Sequence, residues 1–234
     1  VTLMYRTEGM KLCLSQIRMY KRMLQSMLKI GLPAGFEAIM YSISNIIVQV
    51  SINNFGVDTM AAWTAYSKID FIFWMINSAF GISVMTFVGQ NYGAGKWDRI
   101  RRGTKICLGM ALISAVSVSI ILMSAERFLF GIFVNDAGVV EIGIRMMNVI
   151  APAYLLFAFI EVFSGALRAQ GAVVVSTLIT MVGICVLRMI WVTLVAAHGT
   201  LEQVIICYPI TWAAGALAMS IYYVYKQRKI FQTR

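Results

Sequence analysis

The sequence predicts an all-α polytopic membrane protein with six transmembrane helices. Three observations carry this. Of 234 residues, 60% are hydrophobic, only 13% are charged, and six stretches are each long and apolar enough to cross a bilayer. A soluble domain averages about 45–50% apolar and about 25% charged residues, so this chain has more apolar surface than a water-facing fold can hide. The mean hydropathy of +0.79 agrees. About 20 mostly apolar helical residues cross about 30 Å of hydrocarbon, and residues 30–53, 60–90, 103–124, 142–165, 172–197 and 203–225 qualify.

Residues 1–29 precede the first span. Ile17, Tyr20, Leu24, Met27 and Leu28 form one apolar stripe, with Lys11, Arg18, Lys21, Arg22 and Lys29 elsewhere around the helix. That pattern predicts a basic amphipathic helix on the cytoplasmic leaflet. It has no apolar core followed by a cleavage site, so it is not a signal peptide. Because the chain opens on Val1 rather than Met, the helix is expected to be a linker from an earlier segment.

The first span carries Pro33 near its start, where a missing N–H costs nothing, so the proline is expected to mark the helix N-terminus. Along it run Glu37, Tyr41, Asn45 and Gln49, each four residues after the last. A polar stripe facing lipid is costly, so these side chains are expected to line a cleft or a bundle interior.

The second span leads into VGQNYGAGKWDRIRRGTK, residues 88–105, whose glycines and lysine resemble a phosphate loop. The resemblance fails. Gln90 stands where the first glycine belongs and Trp97 where the hydroxyl belongs. A dinucleotide fingerprint from Gly93 fails at Asp98. What remains is a tight interfacial turn followed by basic residues. The third span is free of charge over most of its length, as is the sixth. The fourth contains Pro152, which is expected to kink it near mid-membrane. The fifth and sixth close the bundle, and residues 227–234 form a basic tail.

Basic residues set the orientation. Sixteen of 20 fall on one side: six before the first span, five after the second, Arg168 after the fourth and four after the sixth. Both termini are therefore expected in the cytoplasm. The net charge of +10 is a topology signal rather than a nucleic-acid patch, since no soluble domain presents it.

The cysteines Cys13, Cys107, Cys185 and Cys207 lack metal-ligand spacing, and the one histidine, His198, stands alone. With no catalytic constellation, an enzyme is not expected and no cofactor is called for. Function is sought instead among charges at membrane depth. Glu37 and Glu161 both fall about 6–10 Å from the inner boundary at about 1.5 Å per residue. If their helices adjoin, the two acids could hold Na+ or share a proton. Lys68, Asp70 and Arg188 lie in the outer half, where Asp70 with Arg188 or Lys68 is expected to form a buried pair that fixes helix positions.

The segments GLPAGFEAIMYSISN, AAWTAYSKIDFIFWM, TFVGQNYGAGKWDRIRRG, IAPAYLLFAFIEVFSGALRAQG and VGICVLRMIWV together resemble the second half of multidrug and toxic compound extrusion (MATE) transporters. The resemblance covers residues 11 to about 229. It implies two facing six-helix lobes, with residues 30–226 as the C-terminal one and residues 1–29 as the linker from the N-terminal one. It also implies Na+- or H+-coupled export of cationic or amphipathic compounds across the plasma (inner) membrane. Glu37 and Glu161 fall on helices where the family places functional carboxylates, about one turn from the family positions, which Tyr41 and Phe157 occupy here. Ala169 and Ala172 stand where a Gly and an Asp are common. Two other readings are a lipid-linked glycan flippase of the same superfamily and a membrane subunit with no transport of its own.

Overall fold

The computed structural model describes residues 18–195 and 199–232. Cys13, His198 and the amphipathic stretch before residue 18 lie outside the described residues. Six helices of spanning length follow one another: Lys21–Asn53, Val57–Gly93, Trp97–Ser124, Ala137–Ala169, Val173–Val195 and Leu201–Ile230. Among the described residues all regular structure is helical, as a hydrocarbon solvent requires, because a helix satisfies its own backbone groups.

Residues 21–29 do not form a separate interfacial helix. They are the first turns of the continuous helix Lys21–Asn53, so Pro33 lies inside that helix rather than at its start. Proline there removes one donor and pushes against the carbonyl four residues earlier, at Lys29. Lys29 is exposed, and Gly31 and Gly35 have open space around them, so the proline ring is accommodated without crowding a neighbouring helix.

The residue 88–105 segment makes the turn its glycines predict. Gly95 has a φ of 67°, Lys96 N–H bonds to Asn91 C=O at 2.9 Å and Gly95 N–H to Tyr92 C=O at 3.1 Å. This is a Schellman closure of the second span. The fourth span ends the same way at Gly171, with a φ of 79°. Between the third and fourth spans a short helix, Glu126–Phe133, lies at the outer end. Asp136 then caps the fourth span by accepting from Gly138 and Val139 N–H at 2.7 and 3.1 Å.

Pro152 acts as predicted. It sits in a 3-10 turn, Ala151–Ala153, that divides the fourth span into Ala137–Ile150 and Tyr154–Ala169. The fifth span contains two π-helical segments, Met181–Val186 and Trp191–Val195.

The fourth span is the hub, packing on the second, third and sixth, and it is the most buried of the six while the first is the least. Small residues allow the close crossings. A Cβ built at Gly165 would sit 2.8 Å from Gly81 C=O, and one at Gly183 would lie 3.3 Å from Gly215 Cα. Gly165→Val should therefore lower stability by about 1–3 kcal/mol through overpacking. Gly109→Val, where nothing lies within 4 Å, should stay within about 0.5 kcal/mol of the parent. Thermal unfolding of both variants in detergent micelles checks the pair.

Candidate functional site

Two polar regions lie within the lobe, one toward each end. The inner one is built by the first, fourth and fifth spans. Arg168 Nη2 donates to both carboxylate oxygens of Glu37, at 2.7 and 2.9 Å, and Thr177 Oγ1 donates to Glu37 Oε2 at 2.9 Å. Only 28% of the Arg168 side chain and 13% of that of Glu37 are exposed. The bond is charge-assisted and largely screened from water, which strengthens it.

Glu161 lies seven residues before Arg168, two turns along the same face. Its carboxylate rests where a side chain on Gly81 would otherwise go. It makes no hydrogen bond among the described residues, and the charges of Arg168 and Glu37 both act on it. Arg168, first read only as a basic loop residue, turns back into the lobe and holds Glu37. It pairs with Glu37 alone, and Glu161 stands nearby without a hydrogen bond to either.

An open pocket of about 390 Å³ beside this pair is lined by Ala34, Glu37, Ala38, Tyr41, Ser42 and Arg168. A second cavity of about 480 Å³ lies toward the outer end, and Tyr41 lines it too, with Asn45, Gln49, Asp70 and the aromatic residues Trp63, Tyr66, Trp74, Tyr208 and Trp212 among its walls. The structure thus brings Tyr41, Asn45 and Gln49 to one cavity. Gln49 also bonds Asn53 on its own helix at 2.8 Å.

The expected pairing of Asp70 with Arg188 or Lys68 does not form. Asp70 accepts from Trp74 Nε1 at 2.6 Å and from the Tyr154 hydroxyl, and Tyr154 in turn lies 3.2 Å from the Tyr66 hydroxyl. Neutral donors satisfy the carboxylate in place of a cation. Arg188 is fully buried. Its Nη1 donates to Asn45 Oδ1 at 3.0 Å, and its guanidinium carbon stands 4.2 Å from the Tyr208 ring centre and 5.7 Å from that of Tyr41. Aromatic faces attract the charge. Lys68, two residues from Asp70 and so on another helix face, is exposed and makes no ion pair among the described residues.

Sequence reasoning missed Arg168, Thr177 and Tyr154. For Arg168 the signal was the seven-residue step from Glu161. For the aromatic wall it was Trp63, Tyr66, Asp70 and Trp74, which follow one helical stripe. Among the described residues no group of three His, Cys, Asp or Glu could hold a metal ion.

Comparison with known proteins places this fold. The MatE family profile matches residues 33–194. "Probable multidrug resistance protein YoeA" of Bacillus subtilis (strain 168) is 26% identical over 219 residues, covering 92% of this chain and 47% of the relative. "Multidrug and toxin extrusion protein 1" of Homo sapiens is 22% identical over 158 residues, covering 65% of this chain and 28% of the relative. Among solved structures, MATE in complex with MaL6 superposes with a TM-score of 0.88 at 14% identity, covering 98% of this chain and 53% of the other. An outward-facing multidrug resistance MATE family transporter superposes with a TM-score of 0.85 at 15% identity, covering 97% and 52%. The chain spans about half the length of the YoeA relative and of both structures.

Removing one partner of the inner pair strands a buried charge, so Arg168→Gln and Glu37→Gln should each cost about 1–3 kcal/mol. The double variant should cost less than the sum of the two, with a coupling of about 1 kcal/mol or more. Unfolding in detergent, run as a double-mutant cycle, measures it.

Proposed function

The chain belongs to the MatE family, and from that footing we propose that it forms the C-terminal six-helix lobe of a two-lobe antiporter. The transporter exports drugs or other cationic or amphipathic small molecules in exchange for Na+ or H+. Its site is the plasma (inner) membrane, with both termini in the cytoplasm, the side that collects the basic residues. Its partner is an N-terminal six-helix lobe.

One observation supports the coupling role above all others: two acids, Glu37 and Glu161, lie close to one base, Arg168, at membrane depth. With both acids ionised the group lacks one monovalent cation for neutrality. A proton or Na+ taken up at Glu161 supplies it and leaves Arg168 on Glu37. When the ion leaves, the Glu161 carboxylate competes for the same guanidinium, and the hold of Arg168 on the first span weakens. Ion binding is thereby linked to how firmly that span is tied to the lobe, which is the kind of link alternating access needs. The stripe through Tyr41, Asn45 and Gln49 lines the substrate cleft above it. As coupling cargo, Na+ finds oxygens at Glu161, Glu37 and Thr177, although Arg168 takes the near face of Glu37.

Glu161→Gln and Glu37→Gln should each lower ion-driven drug efflux by the two-lobe protein by about tenfold or more, the scale of a lost charged partner. Efflux from cells expressing each variant at matched membrane levels is the measurement. Undiminished efflux in both would sink the assignment. The lobe expressed alone should show no ion-coupled uptake into vesicles.

A further inference from the structure

Between the second and third spans, toward the basic end, lies an apolar cleft of about 360 Å³. Its walls include Phe80, Val84 and Phe87 from the second span and Gly103, Ile106 and Met110 from the third, and no charged side chain lines it. At Gly103 the Phe87 ring occupies the place a side chain would take, so it lies directly on the third helix and forms the end of the cleft. From Gly103 to Met110 the cleft runs about 10 Å along the helix.

The third span supplies a second feature in register with it. Arg99 and Arg102 precede Gly103, Ile106 and Met110 at helical spacing, so all five occupy one side of the helix. Both arginines are exposed, and neither makes an ion pair among the described residues. Asp98, the one acid in this turn, lies four residues before Arg102 and so beside it on the helix, but it forms no ion pair among the described residues. Lys96 and Lys105 are also basic, and Lys105 points away from the cleft side by helical register.

We propose that this cleft is a binding site for an anionic phospholipid of the leaflet at the basic end, with an acyl chain between the two spans and the phosphate at Arg99 and Arg102. The combination selects the occupant. A chain-shaped apolar slot ending in two free guanidiniums is complementary to an amphiphile with a negative head. A cationic amphiphile would meet the arginines with like charge, and a zwitterionic lipid would gain only part of the attraction. The site is separate from the acids and cavities described above and does not depend on the transport reading.

The test is lipid retention. The protein is reconstituted in membranes of phosphatidylglycerol and phosphatidylcholine, extracted in mild detergent, and its bound lipids are counted by native mass spectrometry. Retained lipid should be enriched in phosphatidylglycerol, and Arg99→Gln/Arg102→Gln should reduce that enrichment about tenfold, as two interfacial charges are lost. Lys96→Gln/Lys105→Gln, equal in charge, should leave the enrichment intact. Ile106→Trp, which fills the cleft, should abolish retention while the thermal transition persists. Equal loss in the lysine pair, or phosphatidylglycerol retained by Ile106→Trp, would overturn the site. So would an oligomer that Ile106→Trp dissociates without changing bound lipid, since a protein would then be the occupant.

Discussion

The first span is held to the rest of the lobe by two guanidiniums. It is the least buried of the six, so apolar packing contributes less to its position than elsewhere. Arg168 takes its inner half through Glu37, with Thr177 beside it, and Arg188 takes its middle through Asn45. Each arginine reaches across from a helix that packs within the bundle. In hydrocarbon, where an unpaired charge is costly, such ties are strong for their area. They can also be exchanged, because a guanidinium can pass from one acceptor to another without opening a cavity, whereas an apolar contact cannot move without leaving a void.

The two ties differ in kind. Arg168 meets a carboxylate, and a second carboxylate lies two turns up its own helix. Arg188 meets an amide and the faces of Tyr208 and Tyr41, none of which changes charge readily. One tie thus involves ionisable acids and the other does not. Tyr41 stands between them, lining both the inner pocket and the outer cavity.

Much of this was legible in the sequence, and what was not has identifiable causes. The six spans follow from runs of apolar residues, the strongest local signal there is, and Pro152 and the glycines after residue 88 act through backbone constraints that need no tertiary context. The start of the first helix was misplaced because Pro33 fits both a helix start and a bend within a longer helix, and only packing chooses between them. The short helix Glu126–Phe133 was absorbed into a loop because eight residues carry little periodicity. The acids were found by cost alone, but their partners depend on which helices adjoin. Arg168 was counted as a topology charge because it closes a helix at the interface, and Asp70 was matched to a cation because formal charge suggested one. Tyr154 and Trp74 satisfied it instead, and hydroxyl and indole donors leave no mark in a charge pattern.

The remaining asymmetry is between the two ends of the lobe. At the outer end the basic residues are answered within the protein: Arg127 meets Glu141 at 3.1 Å and Arg145 meets Glu202 at 3.7 Å. These pairs are exposed and worth little energetically, but with Asp58, Glu126 and Asp136 beside them that end carries no excess of basic charge. At the other end Arg99 and Arg102 form no ion pair among the described residues, and of the two inner acids Glu37 is already paired with Arg168. The basic excess, +10 over the whole chain, is thus concentrated at that end. A topology rule written in numbers of lysines and arginines becomes a local chemical demand at named residues, answered within the protein where Arg127 and Arg145 lie.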